Sequence, residues 1–417
     1  MPDIVTIDRL GHQGDGTASL GEKQIFVPFT LEGEKVLLSG LPGRGNHREV
    51  AEIVEPSPDR ISPICPHFGD CGGCQLQHFS HEPYLAWKRA LLVSELEREG
   101  MDVDVAGPVS FPAASRRRAV LTAIHTSGGT QLGFQERGSH EVIDIETCPV
   151  MTGELQAALP AVRSLAGAFV PPTAKGKPGS VRVTMLSCDN GIDIAFAHGG
   201  KVTARDLKTA ARHPASKHFL RISLNGEVLH ARQRPILTAG IARVSPPPEA
   251  FAQAVAGAEQ AMADLVCEHL SPCKRTADLF AGFGTFALRL AQNSMVDAYE
   301  FDAPALAALD RAWRETGGAL KTITHERRDL FRRPVMASEL KKIDGAVFDP
   351  PRAGAEAQAR ELAMSKVRKV AAVSCNPQTL ARDLRILIEG GYKLVSVTTI
   401  DQFAFTPHLE TVALLER

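Results

Sequence analysis

A short acidic motif and a cysteine follow two apolar segments in the C-terminal part of the sequence. Asp349 lies in FDPPRAG at the end of one segment, and Cys375 lies in VAAVSCNP at the end of the next. Catalytic and ligand-binding side chains gather outside the carboxyl ends of strands in an open α/β sheet. A free cysteine is also often a buried apolar side chain, but the two positions together predict one site.

A glycine-rich turn and a series of acids form a second set of candidate residues. The segment DLFAGFGTF places G-x-G between a predicted strand and a predicted helix, where glycines let the backbone approach a ligand closely. Glu300, Asp329 and Asp349 follow three successive predicted strands. The third glycine of a dinucleotide fingerprint is missing, so these residues favour S-adenosylmethionine over NAD as the ligand.

Four cysteines have the chemistry of a metal site. Cys65, Cys71 and Cys74 are spaced C-x5-C-x2-C in a glycine-rich segment, and Cys148 follows much later in DIETCPV. Four thiolates suit either tetrahedral zinc or an iron–sulfur cluster. The spacing differs from the usual ferredoxin run, and by itself it favours zinc. The other cysteines apart from Cys375 are expected to be packing residues.

The composition is that of a globular protein with more than one domain. The chain has 417 residues, 44% of them hydrophobic and 23% charged, and a formal net charge of −1. Its length suggests two or three domains. No apolar run is long enough for a transmembrane helix, and the N-terminus lacks a signal-peptide pattern. We therefore expect a cytoplasmic protein without membrane contact, in which cysteines seldom form disulfides.

The predicted elements divide the chain into three parts. Residues 1–56 contain short strand-like runs separated by glycine turns, which predicts a small β-barrel. Residues 57–245 mix strands and helices and contain three arginines at 116–118, for which a solvated face and a phosphate-binding face are the alternatives. Residues 246–417 begin with a predicted helix over 250–270 and then alternate strands and helices, which predicts a parallel sheet covered on both faces.

Four motifs of the third part resemble the RNA (uracil-5-)-methyltransferase family: DLFAGFGTFALRLA, FDPPRAG, SCNPQTLARDL and FTPHLETVALLER. The first part resembles a TRAM domain, an OB-like barrel of RNA-modifying enzymes, in D-x-L-x-x-x-G-D-G, FVP and EKV. Together the resemblances cover nearly the whole chain and point to the 23S rRNA branch of the family. The implied α/β fold is a Rossmann-like class I methyltransferase domain preceded by a small TRAM/OB-like β-barrel and a central mixed α+β domain.

The resemblance also implies binding roles for individual residues. It implies a 4Fe-4S cluster rather than zinc on the four cysteines, which reverses the preference from spacing, and it places Phe251 against the target base. Val255 and Ala281 stand where the family often has asparagine and cysteine, and the first departure leaves the detail of the base pocket open. Contacts to S-adenosylmethionine are implied at six positions: Gln253, Phe280, Thr285, Glu300, Asp329 and Asp349.

Two residues are predicted to carry out the chemistry. Carbon 5 of uracil is a poor nucleophile until a thiolate adds to carbon 6, so Cys375 is predicted to be the nucleophile, in surroundings that favour its thiolate. Glu410 is predicted to remove the proton from carbon 5. Arg352 either contacts uracil or a phosphate group, or forms a structural salt bridge. The target base must leave its stack to reach these residues.

RNA is therefore the expected partner, 23S rRNA is the expected substrate, and the protein is expected to be a monomer. Two alternatives remain open from the sequence. One is the same reaction on tRNA. The other is a non-catalytic iron–sulfur RNA-binding factor, against which the presence of Cys375 and Glu410 argues.

Overall fold

The structure is a computed structural model that describes residues 3–39, 45–172 and 179–417. In these ranges no helix combines the length and the apolar character needed to cross a membrane. The elements form two small β-sheets, one two-stranded hairpin and two large sheets.

Six short strands form the N-terminal region. They are β1 (Ile4–Thr6), β2 (Arg9–Leu10), β3 (Gly16–Leu20), β4 (Lys23–Val27), β5 (Lys35–Leu38) and β6 (Val50–Glu55). They pair as two three-stranded sheets, in the orders β1–β5–β6 and β2–β3–β4. Alternate apolar side chains such as Ile25 and Val36 turn inward and form one small core. The predicted β-rich region is confirmed, while its identity as a TRAM domain stays a prediction.

Helix α1 (His81–Arg98) and strand β7 (Val105–Ser110) follow in the chain but do not join the next sheet. Strand β7 pairs in parallel with the segment 393–401 at the edge of the C-terminal sheet. Leu92 and Leu96 of α1 belong to a core of that same sheet. This segment therefore contributes to a different sheet from the rest of its predicted domain, and the boundaries after residues 56 and 245 stay predictions.

The central region is a seven-stranded sheet covered by helices. Its elements are β8 (Arg118–Thr126), β9 (Gly129–Gln135), β10 (Val142–Asp144), α2 (Gly153–Gly167), β11 (Ser180–Cys188), β12 (Gly191–Ala197), α3 (Ala204–Arg212), a 3₁₀ turn (Pro214–His218), β13 (Phe219–Leu224) and β14 (Glu227–Ala231). The strand order is β10–β9–β8–β11–β12–β13–β14, and only β12 and β13 run parallel. Helix α2 packs Leu155, Leu159 and Val162 into the core on this sheet.

The C-terminal region alternates strands and helices, as predicted. Its elements are β15 (Leu237–Ala239), β16 (Ala242–Val244), α4 (Ala256–Leu270), β17 (Arg275–Leu279), α5 (Ala287–Leu290), β18 (Met295–Glu300), α6 (Ala303–Glu315), β19 (Ile323–Arg327), a 3₁₀ turn (Glu339–Lys342), β20 (Gly345–Phe348), α7 (Glu356–Met364), β21 (Lys369–Ser374), α8 (Pro377–Glu389), β22 (Lys393–Asp401) and β23 (Glu410–Glu416).

These strands build an eight-stranded sheet in the order β19–β18–β17–β20–β21–β23–β22–β7. Strands β17 to β21 pair in parallel, and β23 runs antiparallel to both of its neighbours. Successive buried residues of β20 enter opposite cores, because side chains alternate along a strand: Val347 faces α4 and α6, whereas Phe348 faces α7 and α8. The sheet is thus buried on both faces, which confirms the predicted Rossmann-like α/β architecture.

Helix α4 begins at Ala256, whereas the sequence predicted a helix from residue 250. The preceding segment is extended because its backbone groups have partners elsewhere. The amide of Arg117 donates to the carbonyl of Ala254 at 2.8 Å, and the amide of Ala254 donates to Gln402 Oε1 at 2.9 Å. The predicted start of the helix was therefore wrong, and the extended segment carries Phe251 and Gln253 to the edge of the sheet.

Candidate active site

A cleft of about 790 Å³ opens at the carboxyl ends of the parallel strands. This volume lies within the range of roughly 300–1,000 Å³ that is typical of small-molecule sites. All eight residues predicted to bind the cofactor or to react line the cleft. They are Gln253, Phe280, Thr285, Glu300, Asp329, Asp349, Cys375 and Glu410.

The turn after β17 has the backbone geometry of a ligand-binding loop. Phe280 has a φ of 66°, which is uncommon for a residue with a side chain and is often found at functional sites. Gly282 and Gly284 also have positive φ values. A Cβ atom at Gly284 would meet Leu309 Cδ1 at 2.4 Å, so the close packing of the turn on α6 requires glycine there.

Two of the predicted cofactor residues hold backbone turns through their carboxylates. Glu300 Oε2 accepts from the amide of Gly282 at 3.0 Å, and its Oε1 accepts from the amides of the two residues that follow it. Asp329 Oδ1 accepts from the amide of Phe331 at 3.1 Å. The Phe331 ring lies 5.4 Å from the Phe280 ring. These acids therefore shape the mouth of the cleft before any ligand enters it.

Cys375 lies at the end of β21, where the chain turns into α8. Asn376 caps the helix by accepting from the amide of Gln378 at 3.1 Å, which fixes the turn that carries the thiol. Burial raises the pKa of Cys375 to about 11, and the nearby Glu410 and Asp349 act in the same direction, whereas Arg352 lowers it. The expectation that the surroundings favour the thiolate is therefore wrong for the free protein.

Two carboxyl groups line the cleft close to Cys375: Glu410 is buried and Asp349 is half-buried. Burial raises the pKa of Asp349 from its ordinary value. Burial and the charge of Asp349 raise the pKa of Glu410. Desolvation disfavours the charged form of a carboxyl group, so both side chains are poised to hold or take up a proton at neutral pH.

Gln402, which follows β22, is a site residue that sequence reasoning missed. Its Nε2 donates to Gln253 Oε1 at 2.6 Å and to Glu410 Oε1 at 2.8 Å. Gln253 Nε2 in turn donates to Asp349 Oδ2 at 3.1 Å. No motif marked Gln402, and the only signal was its position eight residues before Glu410 in the segment that approaches the sheet.

Arg352 has a histidine partner rather than an acidic one. Its Nη2 lies 3.0 Å from Nε2 of His408. Burial, followed by the charges of Arg352 and Lys88, lowers the pKa of His408 to about 4, so the neutral imidazole can accept from Arg352. Within the described ranges no carboxylate pairs with Arg352, so its positive charge remains available to a ligand in the cleft.

The three consecutive arginines contact the C-terminal region. The Arg116 guanidinium lies 5.9 Å from the Phe403 ring, and that of Arg118 lies 5.7 Å from the Phe251 ring. Arg117 is buried and donates to Glu259 Oε2 at 2.5 Å. A solvated face is therefore wrong for Arg117, because its charge is paired with Glu259 on α4 of the C-terminal region.

The four predicted metal-binding cysteines line a second cavity, next to Arg116. Burial raises the pKa of Cys74 to about 12 and that of Cys148 to about 11. Among the described residues, no three histidine, cysteine, aspartate or glutamate side chains are arranged to hold one metal ion. Four thiols that face one cavity nevertheless match the donor set of an iron–sulfur cluster, which uses four cysteines.

Comparisons with known proteins agree with this architecture. The sequence model of the tRNA (Uracil-5-)-methyltransferase family matches residues 242–417. An uncharacterized RNA methyltransferase of Brucella suis is 47% identical over 413 residues, which cover 99% of this chain and 97% of that protein. The 23S rRNA (uracil(1939)-C(5))-methyltransferase RlmD of Vibrio vulnificus is 30% identical over 429 residues, with 99% and 96% coverage.

A solved structure has the same fold. The tRNA (uracil-54, C5)-methyltransferase of Pyrococcus abyssi, in complex with S-adenosyl-L-homocysteine, superposes with a TM-score of 0.77 at 22% identity and 99% coverage of both chains. Fold and site together define a Rossmann-like methyltransferase. The family model and the relatives that match over nearly their full length identify the family: the chain belongs to the S-adenosylmethionine-dependent RNA (uracil-5-)-methyltransferases.

Proposed function

We propose that this enzyme methylates carbon 5 of a uridine in 23S rRNA through a covalent adduct between Cys375 and the uracil ring. The observation that carries the proposal is the convergence of Cys375, Glu410 and Asp349 in the one cleft that also contains the strained turn after β17. The relative with a 23S rRNA activity in its name, similar over nearly the full length of both chains, supports ribosomal RNA as the substrate.

The residues around the glycine turn would hold S-adenosylmethionine, which supplies the methyl group from a sulfonium centre. Phe280 and Phe331 offer aromatic surface at the mouth of the cleft. Thr285, Glu300 and Asp329 line the same cleft, and their hydroxyl and carboxylate oxygens can accept from a bound nucleoside. Gln253 and Asp349, which are hydrogen-bonded to each other, line the same cleft as the thiol.

Cys375 then acts on the uracil ring. Its thiol first gives up its proton to solvent, the thiolate Sγ then forms a bond to carbon 6, and the π electron pair of the carbon 5–carbon 6 double bond becomes available at carbon 5. Carbon 5 would form its new bond to the methyl group as the bond from that methyl group to the sulfonium sulfur breaks, with S-adenosylhomocysteine as the leaving group, and Glu410 would then take the proton from carbon 5. The electrons of that C–H bond restore the double bond, and Sγ leaves carbon 6 as a thiolate. The positive charge of Arg352 favours the Cys375 thiolate both when it attacks carbon 6 and when it leaves carbon 6.

The four cysteines and Phe251 are proposed to act outside the reaction centre. Cys65, Cys71, Cys74 and Cys148 would hold a 4Fe-4S cluster, which would supply a structural or RNA-positioning centre. Phe251, with 62% of its surface exposed at the rim of the cleft, would contact the flipped base. Ribosomal RNA as substrate implies a cytoplasmic enzyme, and we propose that it acts as a monomer.

Transfer of label from methyl-labelled S-adenosylmethionine to separate RNA pools tests the substrate. Both pools should come from cells that lack the gene, so that the target uridine is unmodified. We expect label in 23S rRNA, recovered as 5-methyluridine at one position. Label in the tRNA pool alone would assign the reaction to tRNA, and no transfer to either pool would favour a non-catalytic RNA-binding factor.

A further inference from the structure

A continuous chain of hydrogen bonds crosses the floor of the cleft and joins its two carboxyl groups. It runs from Asp349 to Gln253, then to Gln402 and finally to Glu410, with donor–acceptor distances of 3.1, 2.6 and 2.8 Å. Gln253, Gln402 and Glu410 are each at most 3% exposed. The four residues come from separate parts of the fold, so this chain of hydrogen bonds forms only when the C-terminal sheet is complete.

A backbone group fixes the direction of this chain. The amide of Ala254 donates to Gln402 Oε1 at 2.9 Å, and a backbone amide can only donate. The Gln402 side chain is therefore oriented with its NH₂ group toward Gln253 and Glu410. Gln253 must present its oxygen to Gln402, which turns its own NH₂ group toward Asp349. The orientation of two side-chain amides thus follows from one peptide group.

We propose that Gln402 is a positioning residue that selects the working oxygen of Glu410 and sets the side-chain orientation of Gln253. Glu410 Oε1 is held by Gln402, whereas Glu410 Oε2 is buried and has no hydrogen-bond partner among the described residues. The free oxygen is the one able to take the proton from carbon 5. This inference rests on the function proposed for Glu410 and adds the residue that positions it.

The charges around Glu410 give the proposal a pH dependence. Asp349, Arg352 and Cys375 act electrostatically on this group or are acted on by it. Burial and Asp349 raise the pKa of Glu410, whereas the hydrogen bond from Gln402 and the charge of Arg352 lower it. A general base works in its ionised form, so activity is lost as the pH falls through its pKa. Loss of the Gln402 donor raises that pKa and moves the loss of activity to higher pH.

The test compares Gln402→Met and Gln402→Glu with the control Gln260→Met. Methionine keeps the length of the side chain but donates nothing, and glutamate keeps the acceptor for Ala254 but turns an acceptor toward Gln253 and Glu410. Gln260 is exposed on α4 and bonds only Asp264 among the described residues. The measurements are the pH profile of a single turnover, binding of S-adenosylhomocysteine by calorimetry, and denaturing electrophoresis of the labelled protein–RNA adduct.

We expect the acidic limb of the profile to move up by about one pH unit in Gln402→Met, a roughly tenfold loss of rate on that limb, and further in Gln402→Glu. The labelled adduct should accumulate in both variants, and Gln260→Met should match the wild type. Unchanged profiles, with or without a lower melting temperature, would overturn the proposal and leave Gln402 a structural role. If Glu410→Gln itself accumulates no adduct, the proposed role of Glu410 is what fails.

Discussion

Cys375 carries its proton in the free protein, although addition to uracil requires a thiolate. A pKa of about 11 leaves roughly one thiol in ten thousand ionised at pH 7. A protonated thiol is a poor nucleophile and a poor metal ligand, so the free enzyme holds Cys375 in an unreactive form. We infer that the thiolate forms when RNA enters the cleft, because a bound substrate can displace or neutralise the two carboxyl charges that oppose it.

The substitution Cys375→Ser should abolish methyl transfer and leave cofactor binding nearly unchanged. A serine hydroxyl is a far weaker nucleophile than a thiolate, and removal of an enzyme's nucleophile can cost about 10³-fold or more. The groups expected to contact the cofactor lie on other strands. Calorimetry with S-adenosylhomocysteine and a transfer assay on the same preparation measure both effects. Retained activity would show that another residue attacks carbon 6.

The substitution Glu410→Gln should stall the reaction after methyl transfer. Glutamine keeps the hydrogen-bonding size of the side chain but cannot take the proton from carbon 5, so the bond from Cys375 to carbon 6 persists. A positioned general base contributes about 10²–10⁴-fold, so the adduct should survive denaturing electrophoresis and carry the methyl label. The double variant with Cys375→Ser is the control and should give no band. Normal turnover without a band would assign the proton to water or to another group.

At the scale of elements, the segment between β22 and β23 is held in place by α1. Lys88 is completely buried, donates to Asp401 Oδ1 at 2.5 Å and also donates to the carbonyls of Phe403 and His408. Tyr84 donates to Asp401 Oδ2 at 2.8 Å. A lysine is seldom buried unless it is paired, so this cluster fixes the segment that carries Gln402, Phe403 and His408 to the cleft.

The substitution Lys88→Met should therefore damage both stability and activity. Removing one partner of a buried ion pair typically costs about 3–5 kcal/mol, because the other charge is left without compensation. The exposed Lys366→Met is a matched control that should stay within roughly 0.5 kcal/mol of the wild type. Denaturant unfolding measures the stability, and the KM for RNA reports the position of the segment. A change of less than about 1 kcal/mol would show that water replaces the ammonium group.

The sequence predicts the cleft residues whose position follows from a strand end, and it misses those held by distant partners. Asp349 and Cys375 were found because neighbouring parallel strands bring their carboxyl ends to one edge. The start of α4 was misplaced because apolar residues over 250–255 continue a helical pattern while their backbone bonds lie elsewhere. Two of the three hydrogen-bond partners of Gln402, Gln253 and Ala254, lie almost 150 residues away in the sequence, and no local pattern records them.

At the scale of the whole molecule, the loop that carries Cys65, Cys71 and Cys74 (the cysteine loop) contacts the segment between β22 and β23, and the same segment also lines the catalytic cleft. The amides of Gln75 and Leu76, directly after Cys74, both donate to the carbonyl of Phe405, at 2.8 and 3.0 Å. The amide of Phe405 donates to the hydroxyl of Tyr84 at 2.9 Å. A change in the conformation of the cysteine loop should therefore displace the segment that carries Gln402 and His408.

The C-terminal sheet was predictable from the sequence, but the contribution of α1 and β7 to it was not. The switch from short strands to alternating strands and helices identifies the C-terminal sheet from the sequence. The contribution of α1 and β7 to that sheet depends on the pairing of Val105 with Val397, almost three hundred residues apart in the chain. Contacts of this separation leave no periodic pattern in either segment, so only the folded structure shows them.

The last prediction concerns the four cysteines together. Protein purified without oxygen should contain iron and sulfide in proportions near four of each, because four cysteine thiols line one cavity. The substitution Cys74→Ser should remove most of the iron and, through Gln75, Leu76 and Phe405, lower methyl transfer more than it lowers cofactor binding.

The control is Cys267→Ser, since Cys267 lies on α4 away from that cavity and should leave the iron content unchanged. Elemental analysis, visible absorption and protease sensitivity of the loop follow the metal centre independently of activity. Stoichiometric zinc without iron in protein prepared anaerobically would contradict the cluster and return the site to the tetrahedral zinc that the spacing alone favours. Loss of iron in Cys74→Ser with full methyl transfer would instead separate the cysteine loop from the cleft, despite the two hydrogen bonds that join them.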